Sequence, residues 1–306
     1  MKIILMSSPI FSSPSFKKIL NSYYKLIAVY TKYNLKKNFY LTNKNNFVYD
    51  ISSINSIYTY YLNKLKINNL IYQLFFLKPD IIIVISYGLI LPYNILNIPK
   101  YGFFNIHPSS LPKWRGTSPI ENSIMSGDKN TSICIIKLIN KLDAGNIFIK
   151  ENITLKNNII KKNLYFLCSQ ISSKILIKIL HFFLKKKFYN CKQKKTKKKY
   201  TNKILNKHQK IKLNKTSYNI INNIKSLDIN ITMYFFYKKI IIKIISAQMI
   251  NLKHYLIYGI IIDSKLTITC NKGLIKFFLL QRQNKKILNI VKFIMGLNIL
   301  MDTFLM

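Results

Sequence analysis

The sequence predicts an α/β protein with an open, mostly parallel sheet flanked by helices, followed by a smaller β-rich domain. The chain opens with a β-α-β pattern: apolar runs at residues 2–6 and 26–31 lie on either side of a helix-type stretch at 15–24. Residues 81–86 form an unbroken β-branched run, typical of a parallel strand covered by helices on both faces. After residue 230, short β-rich runs alternate with turns, which is typical of a small barrel or sandwich.

Between these landmarks the apolar spacing predicts helices. Residues 54–77 are apolar at helical spacing up to the stop at Pro79, and residues 159–186 form a long amphipathic stripe. Ser118 to Glu121 has the form of a capping box with Pro119 at the first helical position, so we expect a helix at 118–126. In the second half we expect a helix at 216–226 and strands at 231–237, 240–245, 258–262, 266–270 and 273–280.

The chain length indicates two domains. With 306 residues the chain exceeds the usual size of one domain, about 100–150 residues. A lysine-dominated run without apolar periodicity lies between the helical stripe and the β-rich half, and its charge favours an extended conformation. We therefore predict a first domain at 1–187, a basic linker at 188–204 and a second domain at 205–306. The linker either lies along RNA phosphates or is merely solvated.

The composition permits a nucleic-acid partner without demonstrating one. The formal net charge is +40, and only two of the 49 basic residues are arginine. Phosphate neutralisation dominates binding to nucleic acids, so such a charge is compatible with RNA. However, the abundance of Lys, Asn, Ile, Tyr and Phe indicates an AT-rich coding sequence, which raises the lysine count whatever the function.

Other classes of protein are disfavoured. The four cysteines are scattered without metal-type spacing, which indicates reduced thiols and no metal site. No G-x-G-x-x-G is present, so dinucleotide binding has no support. A signal peptide and an uninterrupted run of about 18 apolar residues are lacking, so we expect no membrane span and a cytoplasmic protein.

The stretch from Tyr101 to Gly116 differs in composition from the rest of the chain. It contains the single tryptophan, Trp114, and one of the two arginines, Arg115. Its first part is strand-like and ends before Pro108, so Asn105 and His107 project from the same face at the carboxyl end of a strand, where ligands collect in such sheets. The pair either serves a ligand site or closes the strand through hydrogen bonds to the backbone.

Asp143 belongs to a Gly-containing loop between two β-rich runs, at 132–139 and 146–155. Only nine carboxylates occur in the chain, so an acidic side chain at this position is of interest. It either contributes to a site or forms an Asx-turn, which Asp before Ala-Gly readily makes.

These residues together resemble the folate-dependent formyltransferases. The resemblance is carried by Asn-Ile-His-Pro-Ser at 105–109, Leu-Pro-Lys-Trp-Arg-Gly at 111–116, Pro-Ile at 119–120 and Leu-Asp-Ala-Gly at 142–145. It is dense from about residue 80 to 149 and thinner elsewhere. Ser7 stands where the family usually has a glycine-containing first turn, and Ser110 where Leu is usual.

The resemblance implies a Rossmann-like first domain, an OB-like second domain and the roles of particular residues. By similarity Asn105, His107 and Asp143 match the catalytic residues of the family. The implied folate-binding residues are Ser109, Ser110, Leu111 and Pro112 in one loop, with Tyr87, Gly88, Leu89, Ile90 and Leu91 beside the pterin. The implied tRNA-binding residues are Lys36, Lys37, Arg115, Lys194 and Lys195, although Arg115 would equally suit a structural pin.

The implied reaction is transfer of a formyl group from 10-formyltetrahydrofolate to the amino group of methionyl-initiator tRNA, by a monomer without a metal. Other acceptors within the family are glycinamide ribonucleotide and amino sugars. A third alternative is an RNA-binding relative that has lost catalysis. The second domain and the Trp-Arg-Gly run argue against the glycinamide alternative, and retention of Asn105, His107 and Asp143 argues against lost catalysis.

Overall fold

The computed structural model describes residues 1–7, 9–31, 52, 54–61, 67–86, 91–187, 189–194, 200–202, 204, 210–228, 231–297 and 303–305. The chain divides into two compact units. Unit 1 comprises Met1–Pro119, Asn130–Leu155 and Asn163–Asn202, and unit 2 comprises Ile120–Lys129, Lys156–Lys162 and Lys203–Met306. The described part of the predicted linker up to Asn202 therefore belongs to unit 1.

Unit 1 is built on a seven-stranded sheet. Its strands, with the short β6 and β9 that pair separately, are β1 (Lys2–Ser7), β2 (Lys25–Thr31), β3 (Tyr58–Tyr61), β4 (Ile81–Ile85), β5 (Phe103–His107), β6 (Arg115–Gly116), β7 (Asn130–Lys137), β8 (Ile147–Thr154) and β9 (Tyr200–Thr201). The sheet order is β3-β2-β1-β4-β5-β7-β8. Strands β1 to β5 pair in parallel, and β7 and β8 are antiparallel additions at one edge. The predicted open, mostly parallel sheet is confirmed.

The described helices are α1 (Pro9–Leu20), α2 (Ile67–Leu77), α3 (Tyr93–Leu96), α4 (Pro119–Met125), α5 (Lys161–Leu184), α6 (Ser217–Ser226) and α7 (Ile290–Met295). Helix α5 confirms the long amphipathic stripe, because Leu164, Ile175, Ile179 and Phe183 are buried along one face. Among the described residues, α5 alone reaches the length and mean hydropathy, 1.4, of a membrane span, and half of its most apolar window is buried inside the protein. A core helix of a soluble protein has the same features.

Two local expectations are wrong. The helix predicted at 54–77 covers only α2, because Tyr58–Tyr61 forms the edge strand β3, in which the ring of Tyr60 stacks on Tyr30 at 4.9 Å. Aromatic side chains suit a pleated surface, and here this preference prevails over the helical spacing. Helix α1 begins at Pro9 rather than near Ser15 and contains Pro14, since packing of buried Phe11 against Tyr165 at 5.0 Å favours the earlier turns.

Unit 2 contains an antiparallel half-barrel. Its strands are β10 (Met233–Tyr237), β11 (Ile240–Ile250), β12 (Thr267–Thr269), β13 (Leu274–Arg282) and β14 (Ile287–Asn289). The order is β10-β11-β13-β12, with β14 also paired to β13. Its core includes the stacked rings of Phe235 and Phe277, 5.5 Å apart. The predicted β-rich fold is confirmed, although residues 258–262 form only the isolated bridges Ile260–Phe304 and Ile261–Ile268.

Candidate active site

Strand β5 places a carboxamide and an imidazole together at its carboxyl end. The strand is held by β4 on one side and β7 on the other, with Asn105 opposite Ile136 and His107 opposite Cys134. The side chains of Asn105 and His107 share a face because successive residues of a strand alternate. His107 is only 4% exposed, so its ring is fixed by the surrounding protein.

Asp143 belongs to the tight loop that connects β7 to β8. Its backbone is left-handed, with φ of +45°, a conformation that Asp adopts more readily than most residues. Two residues later, a Cβ on Gly145 would lie 1.7 Å from the carbonyl oxygen of Lys137. Only glycine permits this approach, so Gly145 brings the loop against the end of β7 and Asp143 towards β5.

The three predicted side chains converge. Asn105 Nδ2 donates to Asp143 Oδ1 at 3.1 Å, and His107 Nδ1 lies 3.6 Å from Asp143 Oδ2. The backbone N–H of Gly116 also donates to Oδ2, at 2.9 Å. Residues 38 positions apart in the sequence thus form one polar cluster. Their catalytic roles stay a prediction.

A hydrogen bond from the other ring nitrogen fixes the orientation of His107. Its Nε2 lies 3.0 Å from the backbone carbonyl oxygen of Trp114. A carbonyl only accepts, so Nε2 must carry a hydrogen and Nδ1 is the nitrogen that faces Asp143. A proton added to the ring therefore resides on Nδ1, beside the carboxylate.

The run that follows β5 is held by residues of the predicted linker. Strands β6 and β9 pair in parallel, with Arg115 opposite Tyr200 and Gly116 opposite Thr201. The Thr201 hydroxyl donates to the carbonyl of Arg115 at 3.0 Å. Gly116 has φ of +113°, and a Cβ there would lie 2.2 Å from the carbonyl oxygen of Thr201. Position 116 therefore requires glycine both for its positive φ and for its closeness to Thr201.

Arg115 points into the protein. Only 2% of the residue is exposed. Its Nε donates to Gln193 Oε1 at 3.1 Å, Nη2 donates to the same oxygen, and Nη1 donates to the Tyr200 hydroxyl at 3.5 Å. These contacts have the geometry of the structural pin that the sequence left open as an alternative.

Gln193 is a residue of this cluster that sequence reasoning missed. Its Nε2 donates to the backbone carbonyls of Asp143 and Gly145, both at 2.8 Å. In the sequence it is one polar residue within a lysine-rich run, so only the pairing of that run with β6 and the Asp143 loop reveals it.

The loop expected to contact folate makes hydrogen bonds within itself and to β7. The Ser109 hydroxyl donates to the carbonyl of Lys113 at 2.7 Å, and the Ser110 hydroxyl lies 2.6 Å from that of Ser132. Ser132 in turn donates to Asn152 at 2.8 Å, which gives Ser110 a polar partner at the position where the family usually has Leu. The Leu111–Pro112 peptide is cis.

The remaining predicted site residues are distributed as follows. Leu111 is buried against Cys134, Ile136 and Ile147. Leu91 is buried in the core of unit 1, and Lys194 is exposed. Tyr87, Gly88, Leu89, Ile90, Lys36, Lys37 and Lys195 lie outside the described residues.

The chain combines an open α/β sheet, which carries a carboxamide, an imidazole and a carboxylate at one strand end, with an antiparallel half-barrel, an arrangement that suits a two-domain enzyme with a polar reaction site. Two family models specify the group: "Formyl transferase" matches residues 25–180, and "Formyl transferase, C-terminal domain" matches residues 203–298. The chain belongs to the formyl transferase family of enzymes.

Relatives support this assignment, and solved structures share the fold. Methionyl-tRNA formyltransferases of Rickettsia massiliae and Rickettsia prowazekii are each 34% identical over 305 residues, covering all of both chains. The methionyl-tRNA formyltransferase structure from Clostridium thermocellum superposes with a TM-score of 0.57 at 21% identity, covering 83% of this chain and 95% of that one. The sugar 3N-formyl transferase WlaRD gives 0.70 at 19% identity, covering 94% and 99%. The two structural matches show the shared fold.

Proposed function

We propose that this protein transfers the formyl group of 10-formyltetrahydrofolate to the amino group of methionyl-initiator tRNA, the step that prepares the tRNA for translation initiation. The observation that carries the proposal is the convergence of Asn105, His107 and Asp143 at the end of β5. It occurs in a chain that matches methionyl-tRNA formyltransferases along its whole length. WlaRD, which shares the fold, was solved with 5-N-formyl-THF, in keeping with a folate donor.

The first chemical step is attack of the neutral amine on the formyl carbon. A C–N bond forms, and the electron pair of the carbonyl moves to oxygen, which becomes an oxyanion. Asn105 serves this step because its amide nitrogen has two hydrogens: one bonds to Asp143 and the other is donated to the oxyanion. Loss of one such donor typically lowers the rate by about 10²–10³-fold.

His107 and Asp143 act as a pair. With Nε2–H committed to the Trp114 carbonyl, the protonated ring presents Nδ1–H to the oxyanion, next to the carboxylate of Asp143. Asp143 receives the proton of the attacking amine, directly or through one water molecule. The Gly116 N–H keeps the carboxylate oriented throughout.

Collapse of the tetrahedral adduct completes the transfer. The carbonyl re-forms, the bond between the formyl carbon and N10 of the folate breaks, and its electron pair remains on N10. The proton held by Asp143 is returned to that nitrogen, so the products are tetrahydrofolate and formyl-methionyl-tRNA. The residues at the site end the cycle in their starting protonation states.

Binding of the two substrates is assigned to different parts of the chain. The folate would contact Ser109, Ser110, Leu111 and Pro112, whose loop begins directly after His107. Tyr87, Gly88, Leu89, Ile90 and Leu91 follow β4, the neighbouring parallel strand. Because parallel strands end at the same edge of a sheet, we assign both segments to one folate site.

The tRNA would contact the lysine-rich segments, Lys36 and Lys37 before the site and Lys194 and Lys195 after it, together with the second domain. We assign catalysis to residues 1–187, a basic connection to 188–204 and tRNA binding to 205–306. A monomer working in the cytoplasm is part of the same proposal.

The test is a transfer assay with purified protein, 10-formyltetrahydrofolate and three acceptors: methionyl-initiator tRNA, glycinamide ribonucleotide and a dTDP-linked amino sugar. We expect formyl-methionine on the tRNA and no product with the other two. Preferential formylation of either small acceptor would overturn the substrate assignment. Binding of tRNA without any product would indicate the RNA-binding relative that has lost catalysis.

A further inference from the structure

Gln193 connects the two segments that surround the carboxylate of Asp143. Its side-chain nitrogen donates to the carbonyls of Asp143 and Gly145, and its side-chain oxygen accepts from Arg115. We propose that Gln193 is a positioning residue for formyl transfer, which holds the Asp143 loop in the conformation that presents the carboxylate to Asn105 and His107. The proposal rests on the function proposed above.

The amide group of Gln193 matches the two backbone acceptors and the guanidinium donor that surround it. The carbonyls of Asp143 and Gly145 converge on one point and require two donated hydrogens, while the guanidinium of Arg115 requires an acceptor. A carboxamide supplies two hydrogens on nitrogen and an acceptor oxygen in one plane. A glutamate would satisfy Arg115 but has no hydrogen for the loop when ionised, and a methionine satisfies neither.

The loop needs an external restraint because its backbone is strained. Asp143 has a φ of +45°, a left-handed conformation that Asp adopts more readily than most residues but that still depends on support from its surroundings. Gln193 supplies such a restraint at the carbonyl of Asp143 itself, on the backbone side. Without it, the loop can relax and carry the carboxylate away from His107.

Arg115 keeps Gln193 in place. The arginine is buried, and the hydrogen bonds described for its guanidinium all go to the uncharged Gln193 and Tyr200. The next residue, Gly116, donates its N–H to the carboxylate of Asp143. Strand β6 therefore holds Asp143 twice, directly at the carboxylate and through Gln193 at the backbone.

The experiment measures steady-state formyl transfer to methionyl-initiator tRNA by the full chain with Gln193→Met, Gln193→Glu and Asp143→Asn, and with the double variant Gln193→Met/Asp143→Asn. Gln73→Met is the matched control, since it removes another glutamine of unit 1, which accepts from the Tyr30 hydroxyl at 2.9 Å. We expect both Gln193 variants to lower kcat by about 10–100-fold with KM for tRNA nearly unchanged. Gln73→Met should lower thermal stability and leave kcat near wild type.

The double variant distinguishes positioning from general destabilisation. If Gln193 acts through the carboxylate of Asp143, Gln193→Met has little further effect once that carboxylate is gone, so the two losses are not additive. Equal fold losses from Gln193→Met in the wild-type and Asp143→Asn backgrounds would overturn the proposal. A wild-type kcat in Gln193→Met would do so as well.

Hydrogen exchange gives a readout that does not depend on activity. We expect amide hydrogens at residues 141–146 to exchange faster in Gln193→Met than in wild type, with residues 81–85 of β4 unchanged. Unchanged exchange in the loop would overturn the positioning role. If the wild type itself forms no formylated tRNA, the proposed function fails, and the exchange comparison still decides whether Gln193 holds the loop.

Discussion

Oδ2 of Asp143 accepts a hydrogen bond of 2.9 Å from the backbone nitrogen of Gly116, 27 residues earlier in the chain. Gly116 is held there by pairing with Thr201, at a distance that excludes any side chain. The Trp-Arg-Gly run that distinguishes this sequence is therefore part of the frame around the carboxylate. Its tryptophan contributes similarly, since the carbonyl of Trp114 fixes the ring of His107.

Replacing Asp143 by Asn tests the role of the carboxylate. Asparagine has the same shape and retains an oxygen that can accept from Gly116 or Asn105, so we expect a folded protein with little change in melting temperature. Transfer should fall by about 10²-fold or more, because the general base and the charge beside His107 are both lost. Single-turnover assays measure the loss.

Asp80→Asn is the matched control. Asp80 accepts from the backbone N–H of Lys2 at 2.7 Å, at the amino end of β4 and far along the strand from the site. This variant should transfer formyl groups at nearly the wild-type rate. Near-normal transfer by Asp143→Asn would eliminate the proposed role of the carboxylate.

Gly145→Ala tests the closeness of the Asp143 loop to β7. The added methyl group would meet the Lys137 carbonyl at 1.7 Å, so the loop must move away from the strand. We expect a loss of about 1–3 kcal/mol in the free energy of unfolding in urea, together with reduced transfer. Gly296→Ala is the control, because its new methyl would lie 3.1 Å from the end of the Arg282 side chain and no nearer than 3.8 Å to the backbone, and its φ of −93° is open to alanine. Equal stability of the two variants would contradict this account of the loop.

The sequence predicts well those features that depend on local pattern. The buried run at 81–86 and the amphipathic stripe at 159–186 become β4 and α5, because burial on both faces and burial on one face leave distinct periodicities. The helix predicted over 54–77 is wrong in its first half, where Tyr58–Tyr61 pairs with β2. That pairing is decided by a strand some 30 residues away, which local spacing does not contain.

In the candidate site, too, some features follow from the local sequence pattern and others depend on distant contacts. Strand alternation predicts that the side chains of Asn105 and His107 share one face. Their convergence with Asp143 is predicted only by the family resemblance. The contribution of Gln193 depends on the pairing of the lysine-rich run with β6. The composition of that run is typical of a solvated linker, so the sequence does not predict this pairing. Glu121 forms an ion pair with Lys161 at 3.0 Å that local spacing does not predict, and its role as a cap of α4 stays a prediction.

The buried thiols predict a loss of stability in alkali. Burial raises the pKa of Cys168 to about 12, from the ordinary value of 9.0, and that of Cys134 to about 11. The folded protein thus keeps a proton that the unfolded chain releases above pH 9, so stability is full below pH 9 and falls as the pH rises towards 12. Each thiol contributes at most about 1.4 kcal/mol per pH unit to the slope.

Cys168→Ala should therefore flatten the fall in unfolding free energy between about pH 9 and 11, measured by urea titration at each pH. Cys191→Ala is the control, since it removes a cysteine at an exposed position. Identical slopes for wild type and Cys168→Ala would contradict the burial argument.

Lys161 allows a test of how far an ion pair stabilises unit 2. Its ammonium group contacts Glu121 Oε1 at 3.0 Å and Asp228 Oδ2, joining three segments of that unit. Burial lowers the pKa of Lys161, but the two carboxylates outweigh burial and the net shift is upward. The charge of Lys161 therefore stabilises the folded state fully below the ordinary lysine pKa. This stabilisation is lost as the pH rises through the raised pKa of Lys161.

Lys161→Met should lower the free energy of unfolding by about 1–3 kcal/mol near neutral pH, because a mostly buried carboxylate loses its partner. Lys162→Met, at the exposed neighbouring position, should change it little. Since a neutral amine no longer pairs with the carboxylates, the gap between the two variants should narrow as the pH rises through the raised pKa of Lys161, in urea titrations repeated across that range. A gap that stays constant across that range would mean that Lys161 stabilises the unit through packing of its alkyl chain, with no contribution from its charge.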